Sequence, residues 1–143
     1  SMDFDYATVT EQSRENPVFY VQYAHARAKS VLRQAPKMSE ENADLSLLSD
    51  EAELALIKIM ASYPRVVEAA ADAHEPHRIA FYLNDLAAAF HSLWNKGRDH
   101  PELKFIIEGQ EAVTLARLKM VEATALVIRS GLAMLGVSAL EDM

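Results

Sequence analysis

No cysteine occurs in the 143 residues, which removes disulfides, thiolate metal sites and thiol nucleophiles together. Glycine (4) and proline (5) are also scarce. A sandwich or barrel needs a turn signal every ten residues or so, and that is largely excluded. Charge breaks every apolar run well short of the ~20 residues that span a bilayer, and no basic segment precedes an apolar one as in a secretory leader. Cations are the minority, 14 Lys plus Arg against 21 acids for a net charge of -7, which argues against indiscriminate nucleic-acid binding but not against a local basic patch. What is abundant is Ala (23) and Leu (16), both good helix formers. At this length one domain is expected, able to bury roughly two-thirds of the unfolded chain's surface. The expectation is an all-α bundle of about five to six helices in a soluble, cytoplasmic protein with no membrane partner.

Ser1-Met2 reads as an expression scar, and residues 3–143 as a single helical domain cut from a longer protein. Asn16-Pro17 is a helix start, since Asn caps free N–H groups and Pro at the first helical position loses nothing. The helix is expected to run to about Ala35, before Pro36. At about 100° per residue, Val21, Ala24, Ala28, Val31, Leu32 and Ala35 form its core face, flanked by Val18 and His25. Tyr20, Tyr23 and Arg27 share another face, with Gln22, Lys29 and Arg33 beside it. Between Asn16 and Ser39 there are four cations and no acid, so the most basic segment of an acidic chain also carries two tyrosines.

After a polar connection, Ser49 or Asp50 caps a helix to about Ser62 with Leu54, Ile57 and Ala61 on one side. Pro64 interrupts, and a shorter helix to Ala73 follows. The next runs from Pro76 to about Lys96, with Gly97 ending it; Ile79, Leu83, Leu86, Ala87, Phe90, Leu93 and Trp94 share an arc that His91, Asn95 and Asn84 border. Arg98 to Gln110 reads as a loop with room for a helical turn. The last helix, Glu111 to Leu135, is apolar nearly all round and belongs in the middle of the bundle, closed by Gly136.

No catalytic constellation stands out. Lys37-Met38-Ser39 resembles the ATP-handling loop of class I aminoacyl-tRNA synthetases, but Glu40 follows where a second cation belongs. His74 and His77 straddle a helix start, where two rings converge poorly on a metal, so no metal site is expected. The pairs Glu40-Glu41 and Glu51/Glu53 fall in polar connections or exposed first turns, where negative charge suits the helix dipole. Binding is better served. Tyr20, Tyr23 and Arg27 at i, i+3 and i+7 are able to stack bases and hold phosphate. The same tyrosines would also pack between helices with their hydroxyls at the rim. Trp94 lies near a helix end and can project, while His91, Asn95 and Arg98 form either a binding edge or a capping network. His25 and His91 read as buried, hydrogen-bonded structural residues ahead of direct RNA contacts.

The words themselves carry more. Glu15-Asn16-Pro17-Val18-Phe19-Tyr20-Val21-Gln22-Tyr23-Ala24-His25-Ala26-Arg27 resembles the signature that follows the catalytic domain of bacterial arginyl-tRNA synthetases. Tyr82 to Asn95, with Phe90-His91 and Trp94-Asn95, resembles a second motif of that family. Ala116-Arg117-Leu118, Gly131 to Ala139 and Met143 resemble its closing helix and C-terminus, and Asp3-Phe4-Asp5 the text after its ATP-loop region.

The resemblance implies a DALR-type, all-helical anticodon-binding domain of a class I synthetase. This fragment would hold the anticodon stem-loop of an arginine tRNA and carry no catalytic site or cofactor. The parent would be an arginine–tRNA ligase using ATP (with Mg) and arginine in a catalytic domain absent here, that domain and the tRNA being the partners of a monomeric chain. Carried over by motif, Tyr23, Arg27, Trp94 and Asn95 would meet the loop, with Met143 as apolar support for an everted base. Together with the residues read from the basic helix and the loop, the RNA-binding set is Tyr20, Gln22, Tyr23, Arg27, Lys29, Arg33, Trp94, Asn95, Arg98 and Met143. The competing class is a helical protein-interaction module in which Tyr20, Tyr23 and Trp94 anchor a partner helix.

Overall fold

The computed structural model describes residues 17–36 and 42–143. Ser1-Met2, Asp3-Phe4-Asp5, Asn16, Lys37-Met38-Ser39 and Glu40-Glu41 lie outside them. Five α-helices follow in order among the described residues: α1 (Pro17–Gln34), α2 (Glu51–Ala61), α3 (Tyr63–Ala73), α4 (His77–Asp99) and α5 (Glu111–Met134). Single 3-10 turns at Leu45–Leu47 and Pro101–Leu103 complete the set.

The layers follow from the apolar stripes. α1 packs against both α5 and α4, whereas α2 and α3 lean mainly on α4. Val18, Val21, Ala24, Ala28 and Val31 of α1 are buried, as the heptad-like spacing requires. Phe90, Leu83, Leu86 and Leu93 of α4 meet Val121, Ile128 and Leu132 of α5 in the fully enclosed centre. Each such side chain contributes about 1.5–3 kcal/mol on leaving water. α5 is buried along most of its length, although Leu126 is 66 % exposed and marks its outward side.

Three expectations change. Gly97 does not end its helix: α4 continues to Asp99, and Gly97 is buried because the Leu103 carbonyl lies only 3.2 Å from where a Cβ would stand. A small residue there lets the Pro101–Leu103 turn fold back on the helix and brings Phe105 into the core. In α2 the inward residues are Leu56 and Glu53, while Leu54 is exposed. Glu53 is therefore no exposed first-turn acid. It completes a capping box with Asp50 through the Asp50 N–H (3.2 Å) and also accepts from Arg117 Nε of α5 at 2.9 Å, both side chains being nearly fully buried.

The end of α5 sets the course of the C-terminus. Gly136 N–H donates to the Ala133 carbonyl and Val137 N–H to the Leu132 carbonyl, a Schellman arrangement that needs the positive φ (73°) of Gly136. Residues 137–143 then return across α1.

Candidate nucleic-acid interface

The outward face of α1 and the C-terminal half of α4 meet in one aromatic and cationic surface. Tyr20 and Tyr23 are 37 % and 38 % exposed, one turn apart, as the helical spacing predicts. Both rings tilt over the His91 imidazole of α4, with centroids at 4.8 and 5.3 Å. Arg27 lies one further turn along. Its Cζ sits 4.8 Å from the centroids of both Tyr23 and Trp94, so the guanidinium is held between two rings. One of its nitrogens donates to the Tyr23 hydroxyl and the other to His91 Nδ1, each at 2.9 Å.

Trp94 has support beneath it. Phe105 leans on its ring at 6.2 Å and stacks on Phe90 at 5.6 Å, which ties the half-buried indole to the core. Phe105 is held by its own loop. Arg117 donates from one nitrogen to the carbonyls of Glu102 and Lys104, both at 2.9 Å, while Glu53 neutralises its charge. On one side of Trp94 lies an open groove of about 360 Å³ lined by Tyr23, Arg27, Arg33, Asp142 and Met143 among others. On its other side lies a more apolar hollow of about 260 Å³, formed by Leu93, Gly97, Leu103, Phe105 and Ile106 with Arg98 and Lys104 at its polar margin.

The C-terminal strand of chain, 137–143, is strapped along α1 by groups the sequence placed on the helix alone. Gln22 donates to the Ser138 carbonyl (3.1 Å), and buried His25 donates from Nδ1 to the Leu140 carbonyl (2.6 Å). Burial lowers the His25 pKa from its ordinary value, with the Leu140 carbonyl opposing and the Arg129 charge adding to the fall. The ring is therefore neutral at physiological pH. Glu141 approaches Lys29 (3.9 Å) and Arg129 (3.1 Å), and Asp142 pairs with Arg33 at 3.0 Å.

The ten expected residues thus divide. Tyr20, Tyr23, Arg27, Trp94 and Met143 gather at or beside the groove, with Met143 48 % exposed. Asn95 and Arg98 are exposed just beyond Trp94 on α4. Gln22 is 9 % exposed and engaged with the strap, while Lys29 and Arg33 face acids that arrive from the far end of the chain. Phe105, Arg117, Glu53 and the His91 acceptor were not legible as parts of the site. Only the apolar run Phe105-Ile106-Ile107 inside the loop hinted at Phe105.

His91 is the most perturbed group here. It is 6 % exposed, and burial first, then the Arg27 charge, lower its pKa from 6.5 to about 4, with the Tyr20 carbonyl working the other way. Among the described residues no helix is long and apolar enough to cross a membrane, and no group of three or more His, Asp or Glu is placed to hold a metal ion.

A family model for the DALR anticodon binding domain matches residues 21–143, which takes in all but the first turn of α1, the four later helices and the strap. The chain belongs to this family. Its curated relatives agree: this DALR domain is 59 % identical to an arginine–tRNA ligase of Parvibaculum lavamentivorans and 52 % identical to one of Rhodospirillum rubrum. Those alignments cover 99 % and 100 % of the chain but 26 % of each relative, so the DALR domain spans about a quarter of their length. In three dimensions it superposes on the Thermus thermophilus arginyl-tRNA synthetase with a TM-score of 0.79 at 33 % identity, over 99 % of this chain and 24 % of that one.

Proposed function

We propose that the domain holds the anticodon stem-loop of an arginine tRNA for an arginine–tRNA ligase, whose catalytic part joins arginine to the tRNA with ATP and Mg. The observation that carries this reading is the Arg27 guanidinium fixed between Tyr23 and Trp94 at the edge of an open groove, in a chain of the DALR family. Recognition of a single-stranded loop works by laying unstacked bases on aromatic or Arg planes and holding the phosphates between them. Tyr20 offers a partly exposed ring, Trp94 the part of its indole left open beside Arg27, Arg27 its remaining N–H groups, and Asn95 and Arg98 extend the surface along α4. Met143 gives the groove an apolar floor for an everted base. The names of the relatives supply the amino acid and the tRNA, and the local chemistry supplies the part that this chain plays. A cytoplasmic location and a monomeric chain belong to the same reading.

The test is a titration of the folded chain with an arginine-tRNA anticodon hairpin, beside the same hairpin with its middle anticodon base changed, at low and at physiological salt. Tighter binding of the unchanged hairpin, weakening with salt, is the expected result, because phosphate contacts release counterions. Trp94→Ala is expected to cost about 1–3 kcal/mol of RNA affinity, because it removes one wall of the Arg27 slot together with the open part of the indole. Equal binding of both hairpins, or binding that salt leaves unchanged, refutes anticodon recognition by this surface; the latter points to the protein-interaction class.

A further inference from the structure

His91 is an unusual residue to find at the junction of an RNA-facing surface and the core. Its imidazole is nearly enclosed, covered by the Tyr20 and Tyr23 rings and edged by Phe90, and water has little access to it. Nε2 is buried and makes no properly aligned hydrogen bond. Nδ1, by contrast, stands 2.9 Å from an Arg27 nitrogen. A guanidinium has only donors, so Nδ1 must present its lone pair and the ring proton must sit on Nε2. If the site required only bulk, an aliphatic side chain would serve; if it required charge, a protonated ring would repel Arg27.

We propose that neutral His91, in its Nε2–H tautomer, is a positioning residue that holds the Arg27 guanidinium in the slot between Tyr23 and Trp94. The role rests on the reading of this face as the RNA surface. Two acceptors, His91 Nδ1 from α4 and the Tyr23 hydroxyl from α1, occupy one N–H on each terminal nitrogen of Arg27. A guanidinium carries five N–H donors in a rigid fork, so fixing two of them orients the other three. A long, rotamer-rich side chain is thereby ordered before the ligand arrives, and binding no longer bears that cost. The buried position of the acceptor matters. An exposed acceptor would exchange with water, whereas His91 follows fully buried Phe90 on α4 and moves only if the core moves. The groups facing the imidazole are Arg27, Tyr20 and Tyr23 from α1 and Phe90 from α4, and the Arg27 charge together with burial keeps the ring neutral.

Two variants and two readouts test the role. His91→Leu fills the space without an acceptor, and His91→Asn returns an amide oxygen close to the Nδ1 position. In hairpin titrations of protein verified as folded by circular dichroism, His91→Leu is expected to weaken binding about tenfold, in line with one lost hydrogen bond to a charged group. His91→Asn should recover most of that loss, and Arg27→Ala should add little on top of His91→Leu, because the two act as a unit. Independently of RNA, long-range proton–nitrogen NMR of the free protein should show Nδ1 unprotonated and Nε2 protonated, with slowly exchanging Arg27 side-chain protons that vanish in His91→Leu. A protonated Nδ1, or additive losses for His91→Leu and Arg27→Ala, overturns the positioning role. If the parent chain binds no hairpin while the tautomer and the Arg27 signals are as stated, the reading of the surface as an anticodon site fails and the positioning of Arg27 stands.

Discussion

Arg117→Met tests the least visible part of the site. Arg117 and Glu53 form a buried pair at 2.9 Å, with side chains 6 % and 2 % exposed, and the arginine also ties down the carbonyls of Glu102 and Lys104. Removing one partner of a buried pair leaves the other charged and desolvated, which costs about 3–5 kcal/mol. The two carbonyls belong to exposed residues and recover water, so they add little. Against a total stability of about 5–15 kcal/mol the loss is large. Glu53→Leu is expected to match it, because it strands the arginine. Combining the two replaces the pair with apolar groups and should leave only the lost half of the capping box, about 0.5–2 kcal/mol. The double variant is then about 1–4 kcal/mol more stable than either single variant, so the two losses are far from additive. Urea unfolding followed by circular dichroism measures all three losses, provided the slopes agree. Trp94 emission in native buffer gives a local readout, since a freed 102–105 loop lets Phe105 shift from beneath the indole. An Arg117→Met loss below about 1 kcal/mol, or a double-variant loss equal to the sum of the singles, refutes the clamp.

Acid should destabilise the fold before most carboxylates titrate. The His91 pKa is lowered from 6.5 to about 4 and that of His25 is lowered too, so the unfolded chain takes up protons that the folded one refuses. The stability in question is whole above the unfolded value of 6.5 and is lost as pH falls towards about 4, amounting to about 3 kcal/mol for His91. Urea midpoints measured across that range should fall in the parent chain and fall less in His91→Asn; parallel curves contradict the assignment. Glu141→Gln with Asp142→Asn frees Lys29, Arg33 and Arg129, and is expected to raise hairpin affinity and steepen its salt dependence while changing stability by less than about 1 kcal/mol. An unchanged salt slope in that variant means the strap does not compete with phosphate. Gly131→Ala would place a Cβ 2.7 and 2.9 Å from the two terminal carbons of buried Leu83. Overpacking of about 1–3 kcal/mol against a helix-propensity gain of about 1 kcal/mol predicts a net loss near ~1 kcal/mol. The loss should disappear in a Leu83→Ala background, and its persistence there refutes the clash.

Local chemistry was readable from residue order. Asp50, Pro64 and Gly136 mark ends that the structure keeps, because a capping carboxylate, a missing N–H or a positive φ acts within a few residues. The inward faces of α1 and α4 followed from spacing, and so did the shared outward face of Tyr20, Tyr23 and Arg27. Gly97 misled because its reason is a neighbour from the following turn and not the helix it ends. The sequence by itself therefore determined an all-helical domain, its main helices and the aromatic, basic stripe of α1. Only the tertiary structure decided which cations of that stripe meet Glu141 and Asp142, that Glu53 turns inward to Arg117, and that His91 reaches across to Arg27. Those partners are 64 to 112 positions apart in the chain. Pairings at that range depend on how helices cross, and no periodicity within a single helix records it.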